Sequence, residues 1–325
     1  MIYQEGGVFR ELESQIYDLN FTREKIISDC SIVFLIPEYS SGKEKYYIYY
    51  DNSKKNPVDY DDHVGIDESY YKYEPVQGVS FNSWYYSINQ NDYPVYAVIK
   101  KGNALGDSLS QEVTKLKKGS QNMLPKNAEQ VASFSLDCWL GTLDEKRVIS
   151  TREKLVFSDI LVDGNLMVKC IVASSSENDL LKTTNVYKYY YCPSDVHKRI
   201  YAQVKHEIPN GSQLKSENID ISFGGVNSGG IKSNIEKLNS GDIPPFLHFY
   251  SEKERVLTYE VDTDPEGIDW RKIIGKEDDC DIGSFSWLSV DYGREEKAHG
   301  LILDSNEVLE SGEDERDGVK YYSMN

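Results

Sequence analysis

Basic charge is in short supply: the 325 residues hold 36 Lys and Arg against 54 Asp and Glu, for a formal net charge of −18. Binding a phosphate backbone needs clustered cations that release counterions, so a duplex nucleic-acid partner is excluded. Long apolar runs are missing as well. None approaches the roughly 18 residues of a membrane span, and no signal peptide opens the chain. Cysteine is sparse and scattered, at positions 30, 138, 170, 192 and 280. With no CxxC and no histidine at ligand spacing, a structural zinc site is excluded and no metal centre is predicted. An odd number leaves one thiol free or paired outside the chain in an oxidising compartment, and a chain this long does not need disulfides to fold. The nucleophile elbow GxSxG, HExxH and the Walker A loop are absent, and the glycine-rich run 223–230 lacks GxGxxG and reads as a loop.

What the chain has instead is tyrosine, 25 residues against 10 Phe and 4 Met. Amphipathic rings suit strands and half-exposed faces, and they also suit the walls of a sugar groove. The clearest pattern lies at 199–208. Ile200, Ala202, Val204, His206 and Ile208 fall on one side, and Arg199, Tyr201, Gln203, Lys205 and Glu207 on the other. That period of two is a strand with one covered face and one working face. Further strands are predicted at 94–99, 131–139, 154–157, 166–173, 185–191, 246–250, 255–261, 284–290 and 299–303. Residues 105–120 are compatible with a short helix or with a strand and loop. Asp163-Gly164-Asn165 and Asn210-Gly211 are the best hairpin turns. Many strands at short spacing argue for a sandwich and against βαβ units.

Residues 51–93 are polar, rich in Tyr and weak in periodicity, with turn signals at Asn56-Pro57 and around Asn89 to Pro94. A boundary near residue 70 gives a partial N-terminal β segment, 1–70, and a large antiparallel domain, 71–325. The expected class is all-β with few short helices, a two-sheet sandwich or supersandwich. In the first segment, strands at 29–37 and 45–50 flank a Ser40-Ser41-Gly42 turn. The stretches 11–18 and 30–53 (ELESQIYD … CSIVFLIPEYSSGKEKYYIYYDNS) resemble the closing half of a β-sandwich found in secreted cell-surface and polysaccharide-processing proteins of bacteria and archaea. The resemblance implies a cell-surface or extracellular setting, an upstream domain carrying the first strands, and an exposed edge from Ser31 to Ile36.

Five histidines stand at 63, 197, 206, 248 and 299. His206 and His299 lie in alternating strands, and imidazole is the group best suited to proton transfer near neutral pH. They are the candidate catalytic residues, with Glu207 beside the first; buried, hydrogen-bonded packing is the competing role for both rings. His248, Tyr201, Trp287 and Arg316 are the candidate ligand-binding residues. No cofactor is expected. The acidic stretches 262–266, 277–281 and 313–318 are consistent with solvated loops or a structural calcium, although none has EF-hand spacing. Asn20 and Asn210 head glycosylation sequons that matter only for an exported chain.

At the level of fold, residues 71–325 are similar to the supersandwich class of galactose-mutarotase-like and polysaccharide-lyase domains. The first expectation is an extracellular, carbohydrate-associated protein with a binding or structural role. The alternative is a carbohydrate-active enzyme, lyase or mutarotase-like, in which His206 and His299 move protons.

Overall fold

The computed structural model describes residues 2–5, 7–37, 45–49, 58–76, 79–104, 107–109, 113–116, 130–134, 136–142, 147–149, 154–176, 179–193, 198–208, 214–223, 246–250, 255–264, 267–274, 287–291, 299–302, 311–316 and 319–324. These residues are all-β, in several antiparallel sheets, with no helix among them. The N-terminal strands are β1 (Ile2–Glu5), β2 (Val8–Glu11), β3 (Ser14–Phe21), β4 (Ile27–Phe34) and β5 (Lys45–Tyr47). Next come β6 (Val64–Val76), β7 (Val79–Gln90), β8 (Tyr93–Ala104), β9 (Asp107–Leu109), β10 (Val113–Leu116), β11 (Gln130–Phe134), β12 (Leu136–Thr142) and β13 (Arg147–Ile149). The central strands are β14 (Lys154–Asp163), β15 (Met167–Ser175), β16 (Lys182–Tyr190), β17 (Ile200–Glu207) and β18 (Leu214–Phe223). The chain closes with β19 (Phe246–Tyr250), β20 (Val256–Asp264), β21 (Gly267–Ile274), β22 (Trp287–Asp291), β23 (His299–Ile302), β24 (Ser311–Arg316) and β25 (Val319–Met324).

Two sheets face each other across one apolar core. One runs β11-β10-β8-β7-β6 with β9 on β8, and the other β14-β15-β16-β17. The first contributes Val64, Ile66, Tyr86, Ile88, Val95, Tyr96 and Val98, and the second Val168, Cys170, Val172, Tyr187 and Tyr189. Alternation explains the choice of residues: from Val168 to Ser174 in β15 and from Thr183 to Tyr190 in β16 side chains are sealed and half-buried in turn. Sealing a Val or Ile side chain contributes about 1.5–3 kcal/mol, which makes this pair of faces the main source of stability among the described strands.

Two polar side chains of this core, Gln90 and Tyr96, are tied down by hydrogen bonds to the second sheet and the chain beside it. Gln90, 2 % exposed, accepts from the Tyr189 hydroxyl at 2.6 Å and donates to the Cys192 carbonyl at 2.9 Å. Tyr96 donates to the carbonyl of Lys198 at 3.0 Å. Buried polar groups cost little when hydrogen-bonded and about 1–3 kcal/mol when not. Gln90 also ends β7 at a two-residue turn, Asn91-Asp92, whose φ angles of 50° and 64° suit the tight twist of a hairpin.

Of the N-terminal strands, β3 packs on the second sheet. Buried Gln15 accepts from the backbone N–H of Leu166 (2.9 Å) and Met167 (2.7 Å) and donates to the Met167 carbonyl (3.0 Å). This explains the glycine in the Asp163-Gly164-Asn165 turn between β14 and β15, because a Cβ at Gly164 would collide with the Gln15 amide. A bulge in β3 places Asp18 at φ 51°, and its carboxylate meets the Lys169 ammonium through both oxygens at 2.8 Å. His63 stacks on Tyr191 at 4.3 Å and holds its Nε2 2.7 Å from the Glu13 carboxylate.

Several sequence expectations change in detail. β4 pairs with β3, and β5 with β1, so the strands on either side of the Ser-Ser-Gly stretch do not pair with each other. That stretch lies outside the described residues. Among the described residues, no strand pairs with the other edge of β4, and Ile36 beyond it is 60 % exposed. Asn210-Gly211 lies outside the described residues, and the strands on either side of it do not pair with each other: β17 pairs with β16, and β18 with β12. Residues 64–76 and 79–90, read as weakly patterned, form two long paired strands, β6 and β7, so residue 70 falls within β6. The undecided stretch 105–120 contributes β9 and β10. The predicted strand 131–139 is two, β11 and β12, in different sheets.

Candidate functional site

The outer face of the four-stranded sheet, turned away from the core, carries the candidate site. In β16 the half-buried residues are Thr184, Val186, Lys188 and Tyr190, and in β17 the register sets Tyr201 opposite Lys188 and Gln203 opposite Val186. Lys188, Val186, Tyr201 and Gln203 therefore share one face, with Tyr190 one diagonal step away from Tyr201. That diagonal is within reach of large rings. The two phenols meet edge to face, centroids 5.4 Å apart at 87°. Val186, Lys188, Tyr190, Tyr201, Ala202 and Gln203 line an open cleft of about 410 Å³.

Two features set the character of this cleft. The Tyr190 hydroxyl lies 3.2 Å from that of Tyr17 on the packed N-terminal hairpin, which fixes its ring. Burial first, and then the contact with Tyr17, push its pKa upward, so the phenol stays neutral. Tyr201 is 53 % exposed and its hydroxyl has no hydrogen-bond partner among the described residues. The lining thus offers ring faces, a neutral amide at Gln203 and one ammonium at Lys188. Among the described residues no carboxylate or imidazole lines it. Such a surface can hold an amphipathic ligand, while proton transfer to a glycosidic oxygen needs an acid or base within hydrogen-bond reach.

The sequence candidates are distributed as follows. His206 lies on the inner side of β17, as its parity requires, with Nδ1 3.0 Å from the hydroxyl of its cross-strand partner Thr183. Its Nε2 is buried without a hydrogen-bond partner among the described residues, and burial depresses its pKa. Glu207 is on the outer face and exposed, 2.7 Å from Lys205, whose ammonium lowers its pKa. Neither lines the cleft. His299 lies in β23, opposite Val290 in the sheet β21-β20-β19-β22-β23, so the two candidate catalytic histidines sit on different sheets.

His248 repeats the arrangement of His206, with its Nδ1 2.8 Å from the Thr258 hydroxyl across β19 and β20. Trp287 begins β22 and is half-buried, in the same sheet as His248. Arg316 ends β24, opposite Val319. His197 and residues 277–281 lie outside the described residues. Among the described residues no group of three or more potential metal ligands comes together. Cys30, Cys170 and Cys192 are free thiols, and burial pushes Cys170 up to about 12 despite the opposing pull of Lys100.

Of the sequence candidates, Tyr201 alone is in the cleft, and the alternation at 199–208 also placed Gln203 on its working face. Val186, Lys188 and Tyr190 were missed. Their parity was readable within 185–191, but only the register of β16 against β17 shows that they meet Tyr201.

Comparison with protein families, with curated proteins and with solved structures finds no match to this chain.

Proposed function

We propose that this protein is a non-catalytic carbohydrate-binding β protein of the cell surface, which takes a sugar residue in the outer cleft of the four-stranded sheet. The observation that carries the reading is the pairing of an exposed ring, Tyr201, with a ring fixed at right angles to it, Tyr190, beside the Gln203 amide. A pyranose presents an apolar face of C–H groups and a rim of hydroxyls. It therefore matches a phenol face bordered by donors and acceptors. Binding without chemistry is favoured because the residues lining the cleft supply no acid–base pair. An extracellular setting belongs to the same proposal and draws on the resemblance of residues 10–53.

Native electrophoresis through gels containing soluble polysaccharides tests it. Retardation by at least one polysaccharide, weakened between about twofold and tenfold in Tyr201→Ala, is the expected result; a ring contact of about 0.5–1.5 kcal/mol corresponds to factors in that range. Equal migration of both proteins in every gel contradicts it.

A further inference from the structure

We infer that the ligand of this cleft is an acidic sugar, a uronate or a sulfated residue, and that the Lys188 ammonium is the group that reads its charge. The inference rests on the cleft being a sugar site and adds the class of sugar.

The outer face of the sheet runs against the composition of the chain. In a protein with 54 acidic and 36 basic residues, β15, β16 and β17 place Lys169, Lys182, Lys188 and Lys205 on this one face. Register sets Lys169 directly opposite Lys188, and like charges in that position are destabilising. The protein relieves the strain on one side only. Asp18 holds Lys169 through both carboxylate oxygens, and Glu207 holds Lys205 at 2.7 Å. Lys188, half-buried in the cleft wall, has no carboxylate partner among the described residues.

A partly desolvated ammonium gains more from an anion than a fully hydrated one does. With Asp18 occupied by Lys169, the described residues leave Lys188 without a carboxylate, and an anionic ligand would fill that place. Tyr201, directly opposite Lys188 in the ladder, supplies the ring face on which the sugar would lie while its acidic group turns toward Lys188. The net charge of −18 repels anions at long range. Its reach is cut to about 8 Å at physiological salt, so the local contact decides the outcome.

Isothermal titration of the full chain at physiological salt provides the test, with polygalacturonate, a sulfated galactan and a neutral galactan as probes. The expected result is binding of at least one anionic polymer about tenfold or more tighter than the neutral one. Lys188→Met keeps the apolar stem and should lose that preference while retaining the neutral affinity; Lys188→Arg should preserve the preference. Tyr201→Ala should weaken binding to every polymer. A preference for polygalacturonate identifies a carboxylate ligand, and one for the sulfated galactan a sulfate ligand. Equal affinity for neutral and anionic polymers, or an unchanged preference in Lys188→Met, overturns the acidic-sugar inference. If Tyr201→Ala still weakens binding in that case, the sugar site stands. Wild-type protein that binds none of the three overturns both.

Discussion

Tyrosine stands on both faces of the four-stranded sheet, in opposite surroundings. On the inner face Tyr189 is fully buried, edge-on to Tyr96, with its hydroxyl held by Gln90 and its pKa pushed up by burial. One residue on, Tyr190 faces outward beside Tyr201 and lines a cleft. The difference lies in what covers each face. A whole second sheet seals the inner side, whereas the outer side receives a narrow hairpin that reaches Tyr190 through Tyr17 and leaves Tyr201 open. Tyrosine content alone therefore says nothing of function; parity and the covering element decide whether a ring is sealed or left open.

Breaking the inner face should have the largest effect on stability. Tyr189→Ala removes a sealed ring and leaves Gln90 without its shortest hydrogen bond, and it should cost about 3–5 kcal/mol, read as a shifted urea midpoint. The seam that holds the hairpin comes next. Gly164→Ala drives a methyl group into the Gln15 amide, which three hydrogen bonds keep in place, and should cost about 1–3 kcal/mol. An unchanged midpoint would show that Gln15 does not hold the hairpin on the sheet.

The smallest effect concerns pH. Burial lowers the His206 pKa below its ordinary 6.5, so the folded state favours the neutral ring while the unfolded chain takes up a proton first. Stability contributed by the neutral ring is therefore present above pH 6.5 and is lost as pH falls below it, until the folded state protonates as well. His206→Gln should flatten the urea midpoint across that window. A slope identical to wild type would assign the pH dependence to other groups.

Much of the strand pattern was legible in the sequence, because strands with one sealed face announce themselves by alternation. β15, β16, β17 and β19 fall where alternation or apolar runs place them. β6 and β7 did not, for a physical reason: β7 is buried on both faces from Tyr85 to Ile88, which erases the period of two, and its inward positions end in a glutamine, Gln90. A buried glutamine looks like a surface residue until its partner is known, and Tyr189 is 99 positions away. The cleft was half legible in the same way. Alternation set Tyr201 and Gln203 on a working face, but Lys188 and Tyr190 join them only through a ladder between strands. The N-terminal pairing was read from proximity in the chain, and β4 instead found its partner on the N-terminal side, in β3.

The central claim is that the outer face binds while the inner face holds the fold, and Tyr201→Ala tests it most directly when affinity and stability are measured on the same protein. Truncating an exposed ring should leave the thermal midpoint within the small range expected of surface changes, about 0.5 kcal/mol, while polysaccharide affinity falls between about twofold and tenfold. A lowered midpoint together with unchanged retardation in the polysaccharide gel would contradict the account, because Tyr201 would then be packing and not a binding surface.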